Sequence, residues 1–102
     1  EIRRIEPFKR PERFASEVKK RAAVSHMIRR TDHLIERMKE RDITFRQVLN
    51  TLRKGSLEGA PARNDEHGTY EGTMRYHGTG RDISVVVALR EHDMVVIAVT
   101  AY

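Results

Sequence analysis

Cysteine and tryptophan are both absent from this chain of 102 residues. Without cysteine there can be neither a disulfide framework nor a thiolate metal site, so the fold must be held by its core. Aromatic residues make up only 6%, which leaves most of that core to aliphatic side chains. There is no run of 18 apolar residues to span a membrane and no apolar centre of a signal peptide near the N-terminus. A basic lead-in could lie on a membrane surface, but it lacks tryptophan and a broad apolar face. HExxH and comparable close-spaced ligand pairs are missing, so neither a metal nor a cofactor is expected. Gly78-Thr79-Gly80 is too short for a phosphate loop or a dinucleotide fingerprint. No internal repeat or low-complexity tract appears, and a chain that opens at Glu1 reads as a trimmed form or the end of a longer polypeptide.

What the chain does have is charge, unevenly placed. Residues 1–54 carry 16 Lys and Arg against 8 Asp and Glu, whereas residues 55–102 carry 4 against 7, giving +8 and −3 within a net charge of +5. A positive field on one half suits a polyanion or an acidic partner protein. The length supports one domain with one modest core.

Hydrophobic periodicity divides the chain into helices followed by strands. Residues 1–10 read as an arm packed through Ile2, Ile5 and Phe8, or as one flexible until a partner arrives. Pro11 and Glu12 suit a helix start, and Phe14, Val18 and Ala22 follow at helical spacing, which predicts a helix over 12–24 that could run on to Arg30. Lys19, Lys20, Arg21, Arg29 and Arg30 give it a basic flank. Thr31 is placed to cap a second helix with the apolar stripe Leu34, Ile35 and Met38. After a hinge at Asp42-Ile43, Thr44 and Gln47 form a capping box for a third helix carrying Phe45, Val48, Leu49 and Leu52, which Gly55 ends. The period then changes to two. A weak strand over 56–62, strands over 68–77 and 81–89, and a last strand over 94–102 are expected. The fold class is therefore α+β, with N-terminal helices packed on one face of a small antiparallel sheet of three to four strands. Residues 1–30 form a basic arm and helix, and residues 31–102 the α+β domain proper.

Two polar sets can carry chemistry. On the second helix, His33, Arg37 and Arg41 form one row beside the buried stripe, where packing can hold guanidinium groups rigid at the margin of a cleft. On the strand over 68–77, Glu71, Arg75 and His77 share the face opposite Tyr70, Met74 and Tyr76, with Tyr102 near them. A ribonuclease that needs no metal requires a base for the ribose 2′-hydroxyl, cations for the phosphorane and an acid for the leaving 5′-oxygen. Glu, Arg and His in one groove supply that set. Cross-strand ion pairing and helix-surface pairing account for the same residues without any chemistry.

The run His33-Leu34-Ile35-Glu36-Arg37-Met38-Lys39-Glu40-Arg41-Asp42-Ile43, followed by Thr44, Val48, Leu52 and Gly55 and closed by a Val/Ile-rich strand ending in Thr-Ala-Tyr, resembles the domain of unknown function family 4258. The family's pattern is a His-Ala pair, then Arg-Met, then Arg-Gly-Ile, and the resemblance covers residues 31–102. Its members resemble small toxins of toxin–antitoxin systems and toxin tips of secreted bacterial proteins, in the ribonuclease fold of the barnase and RelE group. The resemblance implies His33, Arg37 and Arg41 as the matching polar positions. Leu34 stands where Ala is usual, and Asp42 where Gly is usual; if the hinge needs positive φ, Asp can supply it at some cost, and its charge can pair with Arg41.

Together these readings lead to a small basic endoribonuclease acting in the cytoplasm, cutting RNA by 2′-hydroxyl transesterification, with His33, Arg37, Arg41, Glu71, Arg75 and His77 as candidate catalytic residues. Lys19, Lys20, Arg29 and Arg30 are candidates for RNA binding, and an acidic antitoxin or immunity protein is the expected partner. The alternative is a noncatalytic protein- or nucleic-acid-binding module using the same positive surface.

Overall fold

The computed structural model describes residues 7–24, 27–78 and 80–102; Ile2, Ile5 and His26 lie outside them. After a short 3-10 turn at Pro7–Lys9, the order is α1 (Pro11–Ala22), β1 (Ile28–Arg30), α2 (Asp32–Glu40), α3 (Phe45–Lys54), β2 (Ser56–Asn64), β3 (Thr69–Gly78), β4 (Arg81–Leu89) and β5 (Val96–Ala101). The strands form one sheet in the order β1-β5-β4-β3-β2. All neighbours are antiparallel except β1 and β5. The protein is α+β as its periodicity predicts, but the sheet has five strands rather than three to four. The extra strand is β1, where a longer first helix was an open reading: α1 stops at Ala22, and Ile28–Arg30 instead pairs in parallel with residues 96–98. A three-residue strand is too short for its alternation to register in the sequence.

Local chemistry accounts for each helix. Pro11 occupies the first turn of α1. The Thr31 hydroxyl accepts from the Leu34 amide and donates to the Val99 carbonyl, so one side chain caps α2 and ties it to β5. Thr44 and Gln47 complete the expected capping box of α3. Between α2 and α3, Asp42 adopts φ 53, so the hinge does need the left-handed conformation that Asp supplies at some cost. The Asp42 and Arg41 carbonyls both accept from the Arg81 guanidinium at the start of β4. At Gly55 an added Cβ would collide with the Thr51 carbonyl and stand 2.6 Å from that of Arg75. The close approach lets β2 begin against β3 directly after α3.

The helices cover one face of the sheet. Phe14, Val18 and Ala22 from α1, Leu34 from α2, and Val48 and Leu52 from α3 meet Tyr70, Met74, Val85, Val87, Leu89, Val96 and Ala98 in one buried cluster. Each such large apolar side chain contributes about 1.5–3 kcal/mol. Residues 11–22 therefore share the core of residues 31–102. Gly72 lies on this face opposite Val87, and a Cβ there would sit 2.8 Å from the Phe14 ring; the missing side chain is the space the ring fills. Arg21, read as part of a basic flank, is 3% exposed. Its guanidinium bonds Glu17 and the carbonyls of Val95 and Arg90, fastening the β4–β5 turn to α1. Among the described residues no helix is long and apolar enough to cross a membrane.

Candidate functional site

Among the described residues no helix lies over the other face of the sheet. The strand registers place its side chains in rungs: Tyr102, Ser84, Arg75 and Ser56; then Thr100, Val86, Thr73 and Glu58; then Arg29, Ile97, Ala88, Glu71 and Ala62. At about 3.3 Å per residue, Glu71 and Arg75 are separated by roughly 13 Å along β3, and Glu71 and His77 by roughly 20 Å. Glu71 and His77 thus occupy opposite ends of one face, too far apart to serve a single reacting atom, with Arg75 nearer the His77 end.

At the His77 end the charges neutralise one another. Arg75 donates to Glu58 at 2.9 Å and to Asp82 at 3.1 Å, and the His77 ring pairs with the other oxygen of Asp82. The bond from Arg75, reinforced by His77, holds the Asp82 carboxyl below the usual carboxylate range, and Arg75 is raised in turn, chiefly by Glu58 and then by Asp82.

The Glu71 end is a cleft of about 380 Å³ lined by Arg29, Thr31, Asn64, His67, Thr69, Glu71, Ala88, Arg90, Ile97 and Val99. Asn64 organises one wall. Its amide nitrogen donates to the Glu71 carboxylate at 2.9 Å, while its oxygen accepts from the His67 backbone at 3.4 Å. The side chain at the end of β2 thereby holds the carboxylate and the turn that carries the imidazole. Arg29 comes from β1 across the sheet and Arg90 from the end of the neighbouring β4, and their guanidinium groups have no hydrogen-bond or ion-pair partner among the described residues. Ala88, Ile97 and Val99 supply an apolar floor. A carboxylate, an imidazole and two unneutralised guanidiniums around a partly apolar cleft can exchange protons with a bound phosphodiester and hold its charge.

The helix row belongs to α2 and the hinge after it. His33 is exposed on the first turn of α2, two residues beyond Thr31 at the cleft's border, and Arg41 is exposed at the α2–α3 hinge. Arg37 pairs with Glu40 at 3.3 Å, and the Arg41 side chain makes no pair with Asp42 among the described residues. No hydrogen bond or ion pair among those residues joins His33, Arg37 or Arg41 to Glu71, Arg75 or His77. Of the expected RNA-binding residues, only Arg29 is on the open face. Arg30, the next residue along β1, points to the other side and lies 4.3 Å over the Phe45 ring. Lys19 and Lys20 are exposed on α1.

His67, Arg90 and Asn64 escaped the sequence reading. Arg90 was within reach: the alternation of Ser84, Val86 and Ala88, continued by two residues, ends on it. His67 sits in a polar turn with no periodicity, and only the Asn64 bond reveals its place. No group of three or more His, Cys, Asp and Glu side chains suited to a metal ion occurs among the described residues.

The family model described as Domain of unknown function (DUF4258) matches residues 30–102. The chain belongs to the DUF4258 family. The DUF4258 match begins at Arg30, so it takes in α2, α3 and β2–β5 while α1 and most of β1 precede it. No curated protein and no solved structure matches the chain.

Proposed function

We propose that this DUF4258 protein is a small basic endoribonuclease that cuts RNA without metal through a 2′,3′-cyclic phosphate. The observation that carries the reading is the open-face cleft, in which Asn64 ties Glu71 to the His67 turn and the unneutralised Arg29 and Arg90 share the lining. In this reading Glu71 takes the proton from a ribose 2′-hydroxyl, and the oxygen attacks the adjacent phosphorus. The bond from phosphorus to the 5′-oxygen breaks as protonated His67 gives that oxygen its proton. Arg29 and Arg90 balance the added negative charge on the phosphorane. The products are a cyclic phosphate and a 5′-hydroxyl, and DNA, lacking the 2′-hydroxyl, is not cut. His33, Arg37 and Arg41 take a supporting part, guiding the phosphate backbone along α2 toward the cleft.

The site of action is cytoplasmic RNA, and the partner is an acidic antitoxin or immunity protein whose carboxylates meet Arg29 and Arg90. The test is cleavage of a fluorescent RNA by wild type, Glu71→Gln and Arg90→Ala, beside a 2′-deoxy control. Both substitutions are expected to lower the rate by about 100-fold or more. A rate unchanged by either would exclude the mechanism, and salt-dependent binding with no product would favour the noncatalytic module.

A further inference from the structure

The rungs of the open face continue past the cleft. From Glu71 they run about 13 Å along the strands, through Thr73, Val86 and Thr100, to a rung that ends on Tyr102. The backbone of Tyr102 exchanges both hydrogen bonds with Ser84, so the two side chains share a face, and Ser84 in turn stands opposite Arg75. Ser84 is 9% exposed, whereas Tyr102 is 52% exposed.

The chain has three Phe and three Tyr. Phe8, Phe14 and Tyr70 are buried in the core, Phe45 packs against it under Arg30, and Tyr76 lies with Gln47 and Asn50 on the helix side. Among the chain's Phe and Tyr rings, Tyr102 is thus the one on the open face. It is also well outside the core, so its exposed area is not a requirement of packing. The acidic groups nearest to it in the ladder, Glu58 and Asp82, are both bonded to Arg75, which removes most of their repulsion toward a polyanion.

We propose that Tyr102 is a stacking platform for a base of single-stranded RNA laid across the open sheet face. The inference rests on the ribonuclease reading and deepens it: the substrate class is single-stranded, and the stacked base belongs to a nucleotide other than the one being cut. Every base offers a flat face to a phenol ring, so the contact adds affinity with little sequence preference. A duplex, with its bases already stacked, gains nothing from it.

The test separates binding from cleavage. A fluorescein-labelled hexanucleotide of 2′-O-methyl RNA cannot be cut, and its affinity is read by anisotropy for wild type, Tyr102→Ala, Tyr102→Phe and Tyr102→Trp. Tyr102→Ala is expected to weaken binding by about 5- to 150-fold, the range for losing one base–aromatic stack, while the Phe and Trp variants retain it. On the same backbone with abasic sugars, wild type and Tyr102→Ala are expected to bind alike. Equal affinity of wild type and Tyr102→Ala for the base-bearing strand overturns the platform, as does an equal loss on the abasic strand or no binding by wild type. Tyr102-dependent binding with no cleavage of ordinary RNA would sink the ribonuclease reading and leave the platform standing. Cleavage and binding both untouched by Tyr102→Ala would do the reverse.

Discussion

Arg21 is the residue whose loss the fold should feel most directly. Its guanidinium is almost wholly buried, bonds the Val95 carbonyl at 3.0 Å and the Arg90 carbonyl at 3.1 Å, and lies 5.4 Å over the Phe8 ring. Replacing it with Leu keeps a similar apolar volume but strips both carbonyls of their partner. Each unsatisfied buried carbonyl costs about 1–3 kcal/mol, and loss of the ring contact about 0.5–2 kcal/mol. Glu17, partly exposed, loses its partner more cheaply. The sum expected for Arg21→Leu is a destabilisation of about 2.5–8 kcal/mol, a large part of the about 5–15 kcal/mol of a typical domain. Arg21→Lys is expected to recover less than half, because a point cation cannot span two carbonyls and a carboxylate in fork geometry. Urea unfolding followed by circular dichroism reads both: the midpoint should fall with the slope unchanged. A loss below about 1 kcal/mol in Arg21→Leu would refute the assignment of Arg21 as the clasp on the β4–β5 turn. Because that clasp holds the Arg90 backbone, the same variant should also lower RNA affinity at temperatures where it remains folded.

Further expectations concern the core, the charge network and the helix row. Gly72→Val places a branched side chain against the Phe14 ring and should cost about 1–3 kcal/mol in the same unfolding assay, with Gly68→Ala, which faces open space, as a positive-φ control for backbone strain alone. Asp82 has a depressed folded-state pKa, so its contribution to stability is present above its unfolded value near pH 4 and is lost as pH falls through the folded value. Acid titration of stability should therefore be flatter below pH 4 in Asp82→Asn than in wild type. Losing both His33 and Arg37 side chains should reduce RNA cleavage by about tenfold and lower its salt dependence; cleavage unchanged by the double substitution would remove α2 from the RNA path.

The helical half was legible because its signals are local. Thr31, Thr44, Gln47 and Gly55 mark helix ends through hydrogen bonds within four residues, and Asp42 betrayed the hinge by standing where backbone freedom is needed. Strand alternation likewise separated Tyr70, Met74 and Tyr76 from Glu71, Arg75 and His77. What alternation cannot convey is distance along the strand, so residues sharing a face were grouped although the ends of that group stand roughly 20 Å apart. Nor could it supply β1, whose three residues depend on β5 far along the chain, or the fate of Arg21, whose burial follows from a turn 69 residues away. His67 and Arg90 became site candidates only when cross-strand register brought the β2–β3 turn and the end of β4 beside Glu71.

The central claim is metal-independent cleavage in the Glu71 cleft, and it is tested most directly by incubating the purified protein with total RNA and tRNA in EDTA and identifying the fragment ends. The account predicts discrete fragments with 2′,3′-cyclic phosphate and 5′-hydroxyl ends, absent with Glu71→Gln. Intact RNA, or fragments that Glu71→Gln produces at the wild-type rate, would contradict it.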